Sequence, residues 1–149
     1  MSKDKKKVTD IKYSNASWSF DGKTAKRFDS HIKQSIPLYE LSHDLALKFS
    51  DFFLSQKSIV YDLGCSTGTF LNILSKRHKN QRHKFVGVDE IHKMCTIAKK
   101  KNINNKRVKI INSKIEKIKF EKSSIITSFF TMQFIHPSKR QLIFNNIFK

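Results

Sequence analysis

Apolar residues recur at two different spacings along the chain, and each spacing predicts a different kind of element. Ala25, Phe28 and Ile32 lie three and four residues apart and predict a helix that breaks near Pro37. A second amphipathic helix is predicted from a stripe that contains Leu38, Leu41, Leu45, Phe49 and Phe52. Both helices precede any strand, so we expect them to form a lid packed on the domain C-terminal to them.

From Ser58 the pattern changes to short apolar runs of the kind that form buried parallel strands. Strands are predicted over 58–63, 84–89, 108–111 and 124–130. Helices are predicted over 69–77 and 91–101, and a last helix begins at 136–138 with the stripe Leu142, Ile143 and Ile147. This alternation predicts an α/β protein, namely an N-terminal helical extension followed by the first four strands of a mostly parallel sheet.

Three segments emerge from these patterns. Residues 1–15 are lysine-rich without any period and are predicted to be a disordered basic tail. Residues 16–56 are predicted to be the N-terminal helical lid, and residues 57–149 a partial ligand-binding domain. A doubly wound sheet continues beyond four strands, so we expect the chain to be a fragment of the complete fold.

Charge adds one question that the pattern alone does not raise. The 149 residues contain 30 Lys and Arg against 12 Asp and Glu, a formal net charge of +18. Such a charge suits nucleic-acid phosphates, but 25 of these cations are Lys and only 5 are Arg. A lysine-, isoleucine- and asparagine-rich composition is also what an A+T-rich genome imposes. Both explanations stay open at this point.

Several classes of protein are excluded by the same composition. Two cysteines, Cys65 and Cys95, are too few for a disulfide scaffold, and the six histidines lack the spacing of metal ligands. No apolar run approaches the length of a membrane span, and no signal peptide follows Met1. We therefore expect a cytoplasmic protein without a metal and without a membrane partner.

The turn after the first predicted strand carries the chemistry. Residues 62–68 have the sequence D-L-G-C-S-T-G, and its small residues let backbone N–H groups approach a ligand. Asp62 would repel a pyrophosphate but suits a ligand with a cationic amino group. Asp89, at the end of the second strand, is placed to accept hydrogen bonds from ribose hydroxyls. A small-molecule cofactor with both features is S-adenosyl-L-methionine.

Segments 62–68 and 86–94 together resemble the first two motifs of the Rossmann-like, class I S-adenosylmethionine-dependent methyltransferases. The resemblance covers roughly residues 55–149. It implies a Rossmann-like methyltransferase fold and an enzyme that transfers a one-carbon group from S-adenosylmethionine to an acceptor. The acceptor and any catalytic residue are left unassigned.

A closer resemblance, to the carboxy-S-adenosyl-L-methionine synthase family, includes the N-terminal helices. It rests on segments 18–21, 35–39, 61–66, 130–134 and 137–141. That family makes a carboxylated cofactor from S-adenosylmethionine and prephenate for modification of a tRNA wobble uridine. The resemblance therefore implies a link to a tRNA pathway, and a homodimer is a further expectation.

The resemblance also implies which residues contact the cofactor. Tyr39 is expected at the carboxylate end of the ligand, the turn 64–66 at its methionine part and Asp89 at its ribose. Where the family has an acid beside the adenine this chain has Lys114, and where it has an asparagine after the fourth strand this chain has Phe129. The expected cofactor-binding set is Tyr39, Asp62, Gly64, Cys65, Ser66, Gly68, Asp89, Glu90, Lys114, Ile115 and Phe129.

Simpler roles compete with these functional ones. Cys65 has no histidine near it in sequence and is expected to be a small turn residue rather than a nucleophile. His136, after the fourth strand, is a minor candidate for contact with an acceptor. The lysines between 99 and 122 are expected to form a solvated face, with an RNA-facing surface as the secondary interpretation. An inactive fragment or an RNA-binding module is the alternative to an enzyme.

Overall fold

The computed structural model describes residues 23–55 and 57–148. Four parallel strands form one sheet in the order β3-β2-β1-β4. They are β1 (Ile59–Leu63), β2 (Lys84–Asp89), β3 (Val108–Asn112) and β4 (Ile125–Thr127). The strand order reverses between β1 and β4, which is where ligands bind in open α/β sheets. The predicted α/β class and four-stranded parallel sheet are confirmed.

Five α-helices surround the sheet in the part of the chain that the structure describes. They are α1 (Lys23–Ser35), α2 (Tyr39–Phe53), α3 (Thr69–Arg77), α4 (His92–Lys101) and α5 (Pro137–Ile147). On one face of the sheet, α3 and α4 bury Leu71 and Ala98 against Phe85. On the other face, Ile143 of α5 is fully buried in a cluster with Val88. The sheet is thus covered on both faces, as a parallel sheet requires.

The second helix packs on its unexpected side. Its buried residues are His43, Leu47 and Ser50. The predicted stripe faces solvent, with exposed side chains at Leu38, Leu41, Leu45, Phe49 and Phe52. The apolar stripe that predicts α2 is therefore not the side of the helix that packs on the domain; the packed side carries His43, Leu47 and Ser50.

The fourth strand and the helix after it also differ from the prediction. β4 ends at Thr127, three residues earlier than expected. The backbone turns beyond it, since Phe130 has a φ of 50° and a 3-10 turn covers Met132–Phe134. In α5, Pro137 occupies the predicted first position, but Leu142 of the predicted stripe is 49% exposed.

Some predicted features lie outside the described residues, namely the basic tail 1–15 and the motif 18–21. Within the residues that the structure describes, no helix combines the length and apolarity that a membrane crossing needs.

Candidate functional site

A cavity of about 690 Å³ opens at the carboxyl ends of the strands. Its walls come from the turn after β1, the end of β2, the segments C-terminal to β3 and β4, and the inner sides of α1 and α2. A cavity of this size, between a rigid sheet edge and two helices, is typical of small-molecule sites. The site therefore lies where the strand order predicts it.

The turn after β1 is bound tightly to the end of β2. The N–H groups of Gly64 and Cys65 both donate to the carbonyl of Val88, at 2.8 and 3.0 Å. Gly64 has a φ of 78°, and a Cβ at this position would fall on the side chain of Thr131. Both observations require glycine here, because other residues disfavour this φ and none could fit beside Thr131.

Asp62 is a buried carboxyl group at the end of β1. It is 2% exposed, and its Oδ1 accepts a hydrogen bond from the Thr127 hydroxyl at 2.8 Å. Burial raises the pKa of Asp62 to about 7; the charge of Asp89 adds to this rise, and the Thr127 hydrogen bond opposes it. A cationic group in the cavity would favour the ionised form and return the pKa toward its ordinary range.

Asp89 fixes the shape of the cavity floor. Its Oδ2 accepts from the Ser66 N–H at 2.8 Å, and its Oδ1 accepts from the Ile91 N–H at 2.9 Å. Burial raises its pKa, while these backbone hydrogen bonds oppose the rise. Each oxygen keeps a second lone pair that a ligand hydroxyl can use.

The surroundings of Cys65 and Gly68 indicate structural roles in the turn. Cys65 is 6% exposed, and burial raises the pKa of its thiol, so a thiolate nucleophile is disfavoured here. Gly68 does not line the cavity; it precedes α3 with a φ of 70° and lies against Ala98 of α4 and Asn102, which caps that helix. Gly68 therefore shapes the turn on its α4 side, away from the cavity.

The remaining predicted residues lie on the cavity walls. Glu90 and Lys114 are exposed at its rim, and Ile115 is buried in the wall. Phe129 lies two residues beyond the end of β4 rather than at it, with its ring 4.7 Å from that of Phe70. The structure therefore brings ten of the eleven predicted residues to one cavity, all except Gly68.

Tyr39 and His43 line the same cavity from α2. Burial raises the pKa of Tyr39 to about 12, and the charges of Asp29 and Asp62 add to the effect, so the phenol keeps its proton. His43 is 6% exposed, with its ring 4.4 Å from Tyr39 and 4.5 Å from Phe129. Burial lowers its pKa, which favours the neutral imidazole.

Sequence reasoning missed His43. The residue lies one helical turn after Tyr39, and this spacing of four is the signal that could have identified it.

A polar cluster, which we call the α1 clamp, joins α1 to the turn. It consists of Asp29, Thr67, Thr69 and Lys101. The Thr67 hydroxyl donates to Asp29 Oδ1 at 2.5 Å, and Lys101 Nζ donates to Asp29 Oδ2 at 2.6 Å. Burial would raise the pKa of Asp29, but the hydrogen bonds from Lys101 and Thr67 lower it overall. The clamp therefore joins α1 to the turn after β1 and to the end of α4.

No group of three or more His, Cys, Asp or Glu residues is placed to hold a metal ion within 23–55 and 57–148.

Comparison with known proteins gives a family match. Residues 60–149 match the family described as "Methyltransferase domain". A carboxy-S-adenosyl-L-methionine synthase from Staphylococcus epidermidis is 30% identical over 140 residues, which are 93% of this chain and 60% of that protein. The chain spans 53–60% of the length of such curated relatives.

Solved structures support the fold. A SAM-dependent methyltransferase from Aquifex aeolicus matches with a TM-score of 0.60 and 23% identity, over 79% of this chain and 65% of that chain. The plantazolicin methyltransferase BpumL, solved with SAH, matches with a TM-score of 0.63 and 16% identity, over 85% of this chain and 50% of that one.

Proposed function

This chain belongs to the methyltransferase domain family, and from that membership we propose that it binds S-adenosyl-L-methionine and transfers a one-carbon group from it. The observation that carries the proposal is the cavity at the strand-order reversal, with Asp62 and Asp89 in its floor. The SAH bound in a solved structural neighbour supports the same cofactor.

The residues present fit this cofactor in shape and charge. Gly64 lets the turn after β1 pack against Thr131 at the cavity wall, because a Cβ there would collide with the Thr131 side chain. Asp62 suits the ammonium group of the methionine part, and the free lone pairs of Asp89 suit the ribose hydroxyls. Lys114 and Ile115, after β3, would border the adenine, and Tyr39 would donate its phenolic hydrogen to the ligand carboxylate.

Methyl transfer needs positioning more than side-chain chemistry. When bound, the cofactor supplies an electrophilic methyl carbon on a sulfonium. The chain contributes a cavity closed by α1 and α2 and walled by the rings of Phe129 and Phe130, which exclude water. In this proposal no side chain forms a covalent bond with the substrate.

Isothermal titration calorimetry with S-adenosylmethionine tests the proposal. We expect saturable heat with the wild-type chain and at least tenfold weaker binding for Asp89→Asn. Asp51→Asn, which changes an exposed carboxylate paired with Arg77, is the matched control and should bind within about twofold of wild type. No heat from a chain that is folded by circular dichroism would contradict the proposal.

A second candidate is carboxy-S-adenosyl-L-methionine synthesis, which the similarity to the Staphylococcus epidermidis protein favours. Incubation with S-adenosylmethionine and prephenate, followed by mass spectrometry, separates the two reactions. A carboxylated product supports the synthase and the link to a tRNA pathway. An unchanged cofactor counts against the synthase and against that link. A cytoplasmic location of the protein is part of this second proposal.

The division into tail, lid and partial domain remains part of this proposal. The α1 clamp and the cavity lining from α2 support a lid role for the described part of residues 16–56.

The exposed stripe of α2 supports a homodimer. Its large apolar side chains include Leu41 at 59% and Phe52 at 83% exposure, and contiguous apolar patches mark interfaces. Sedimentation velocity should show a dimer that Leu41→Glu dissociates, while Ile103→Glu, at an exposed position outside α2, leaves it intact. A wild-type monomer at high concentration would contradict the dimer.

A further inference from the structure

A second concave surface, which we call the lysine groove, lies across the strands from the cavity. It has a volume of about 590 Å³, and its floor includes Tyr61, Val86 and Ile118. Its rim is formed by Lys84, Lys106, Lys109, Lys117 and Lys119. None of these residues belongs to the cavity described above.

The groove arises from the strand pattern and from a short connection. Side chains alternate along a strand, so Lys84 lies on the same face of the sheet as Val86, and Lys109 on the same face as Ile111. Val86 and Lys109 are partners across β2 and β3. In the described connection from β3 to β4, the regular helix is limited to a three-residue 3-10 turn. No longer helix covers the lysines there.

The rim lysines are exposed and carry an excess of positive charge. None forms an ion pair or a side-chain hydrogen bond with any residue in the described part of the chain. The cation Arg107 differs, because its guanidinium donates to the carbonyls of Ser75 and His78. Among the described residues, a single carboxylate, that of Glu121, shares the lining with the five ammonium groups. The groove therefore attracts anions.

We propose that the lysine groove binds the phosphate backbone of RNA. Lysine ammonium groups contact phosphates as point charges, without reading bases. Tyr61, Val86 and Ile118 are each at most 9% exposed, and Ile59 and Ile111, which also line the groove, are half-buried. The groove therefore offers less apolar than charged surface to anchor an acidic peptide. Because it is buried, the Tyr61 ring is not available for a base to stack on. Binding is therefore electrostatic and independent of sequence.

Fluorescence anisotropy with a labelled, unstructured 20-nucleotide RNA tests the proposal on the full chain. Each phosphate contact contributes a slope of about −0.7 in log affinity against log salt for a single strand. The substitutions Lys84→Gln, Lys109→Gln and Lys117→Gln together should reduce the slope by about 2 and weaken binding roughly 10- to 100-fold at 0.1 M salt.

The matched control removes the same charge elsewhere. Lys76→Gln, Lys99→Gln and Lys100→Gln change exposed lysines of α3 and α4, and should alter the slope by much less. Both triple variants retain residues 1–22, and their melting temperatures verify folding. Equal losses in the two variants would overturn the proposal in favour of diffuse charge, and so would absence of RNA binding. Groove-dependent binding to phosphatidylserine vesicles or polyglutamate without RNA binding would also overturn it.

Discussion

The α1 clamp gives the sharpest prediction, which concerns Asp29→Asn. The amide keeps an oxygen that accepts from the Thr67 and Thr69 hydroxyls. In the wild type, Asp29 Oδ2 accepts a hydrogen bond from Lys101 Nζ at 2.6 Å. The substitution replaces this oxygen by an NH₂ group, which cannot accept a hydrogen bond. The variant therefore removes one charged hydrogen bond between α1 and α4 and leaves the shape of the side chain unchanged.

The size of the effect depends on exposure. A hydrogen bond to a charged group contributes about 1.5–3 kcal/mol when buried, and an exposed ion pair contributes about 0–1 kcal/mol. The side chains of Asp29 and Lys101 are 43% and 26% exposed, between these limits. We expect α1 to detach about 1–1.5 kcal/mol more easily, which corresponds to roughly 5- to 13-fold faster hydrogen exchange of its amides.

Hydrogen exchange followed by mass spectrometry measures the exchange rate of the α1 amides in peptides that cover residues 28–35. The control is Glu40→Gln, which removes the exposed ion pair of Glu40 with Lys33 and should change exchange less than twofold. Unchanged exchange in Asp29→Asn, or the same acceleration in both variants, would refute the reasoning. The apolar contact of Phe28 with Met94 would then be sufficient to hold the helix.

Three further predictions concern the cavity floor and the two thiols. Gly64→Ala should lower the free energy of unfolding, measured in urea, by about 2–3 kcal/mol, because of the positive φ and the collision with Thr131. Adding Thr131→Gly to this variant should restore only the part that comes from the collision. Full rescue would contradict the backbone contribution. Because the pKa of Asp62 is raised to about 7, its protonated form stabilises the fold below about pH 4 and that stability is lost as pH rises through 7. The stability of Asp62→Asn relative to wild type should therefore grow by roughly 2–4 kcal/mol from pH 4 to pH 8, whereas a constant difference would contradict the raised pKa. Iodoacetamide should label Cys65 and Cys95 rapidly in urea but only slowly in buffer, since both are buried and burial raises both thiol pKa values. Rapid labelling of Cys65 in buffer would indicate an accessible thiolate and contradict this expectation.

Sequence patterns were sufficient where apolar runs are bounded by turn residues. The boundaries of α3 and β2 agree with the prediction at both ends, and β1 begins one residue late. The turn at 64–68 and Asp89 could be predicted because parallel strands bring their carboxyl ends to one edge of a sheet.

The packing of the N-terminal helices could not be predicted to the same depth. Periodicity identifies α2 as amphipathic, but His43 and Ser50 on its buried side have no apolar signal. Phe129 belonged to an apolar run that suggested a longer β4, whereas its ring packs against α2 and α3. The contact of Asp29 with Lys101 joins residues 72 positions apart, and no local pattern encodes such a pair.

The β3 edge of the sheet is protected against pairing with another chain. Lys109, the second residue of β3, is exposed and charged, and a lysine on an edge strand disfavours the addition of a foreign strand. The lysine that we assign to phosphate binding therefore also resists aggregation. Its replacement by an apolar residue should promote strand addition at β3, a cost separate from any loss of binding.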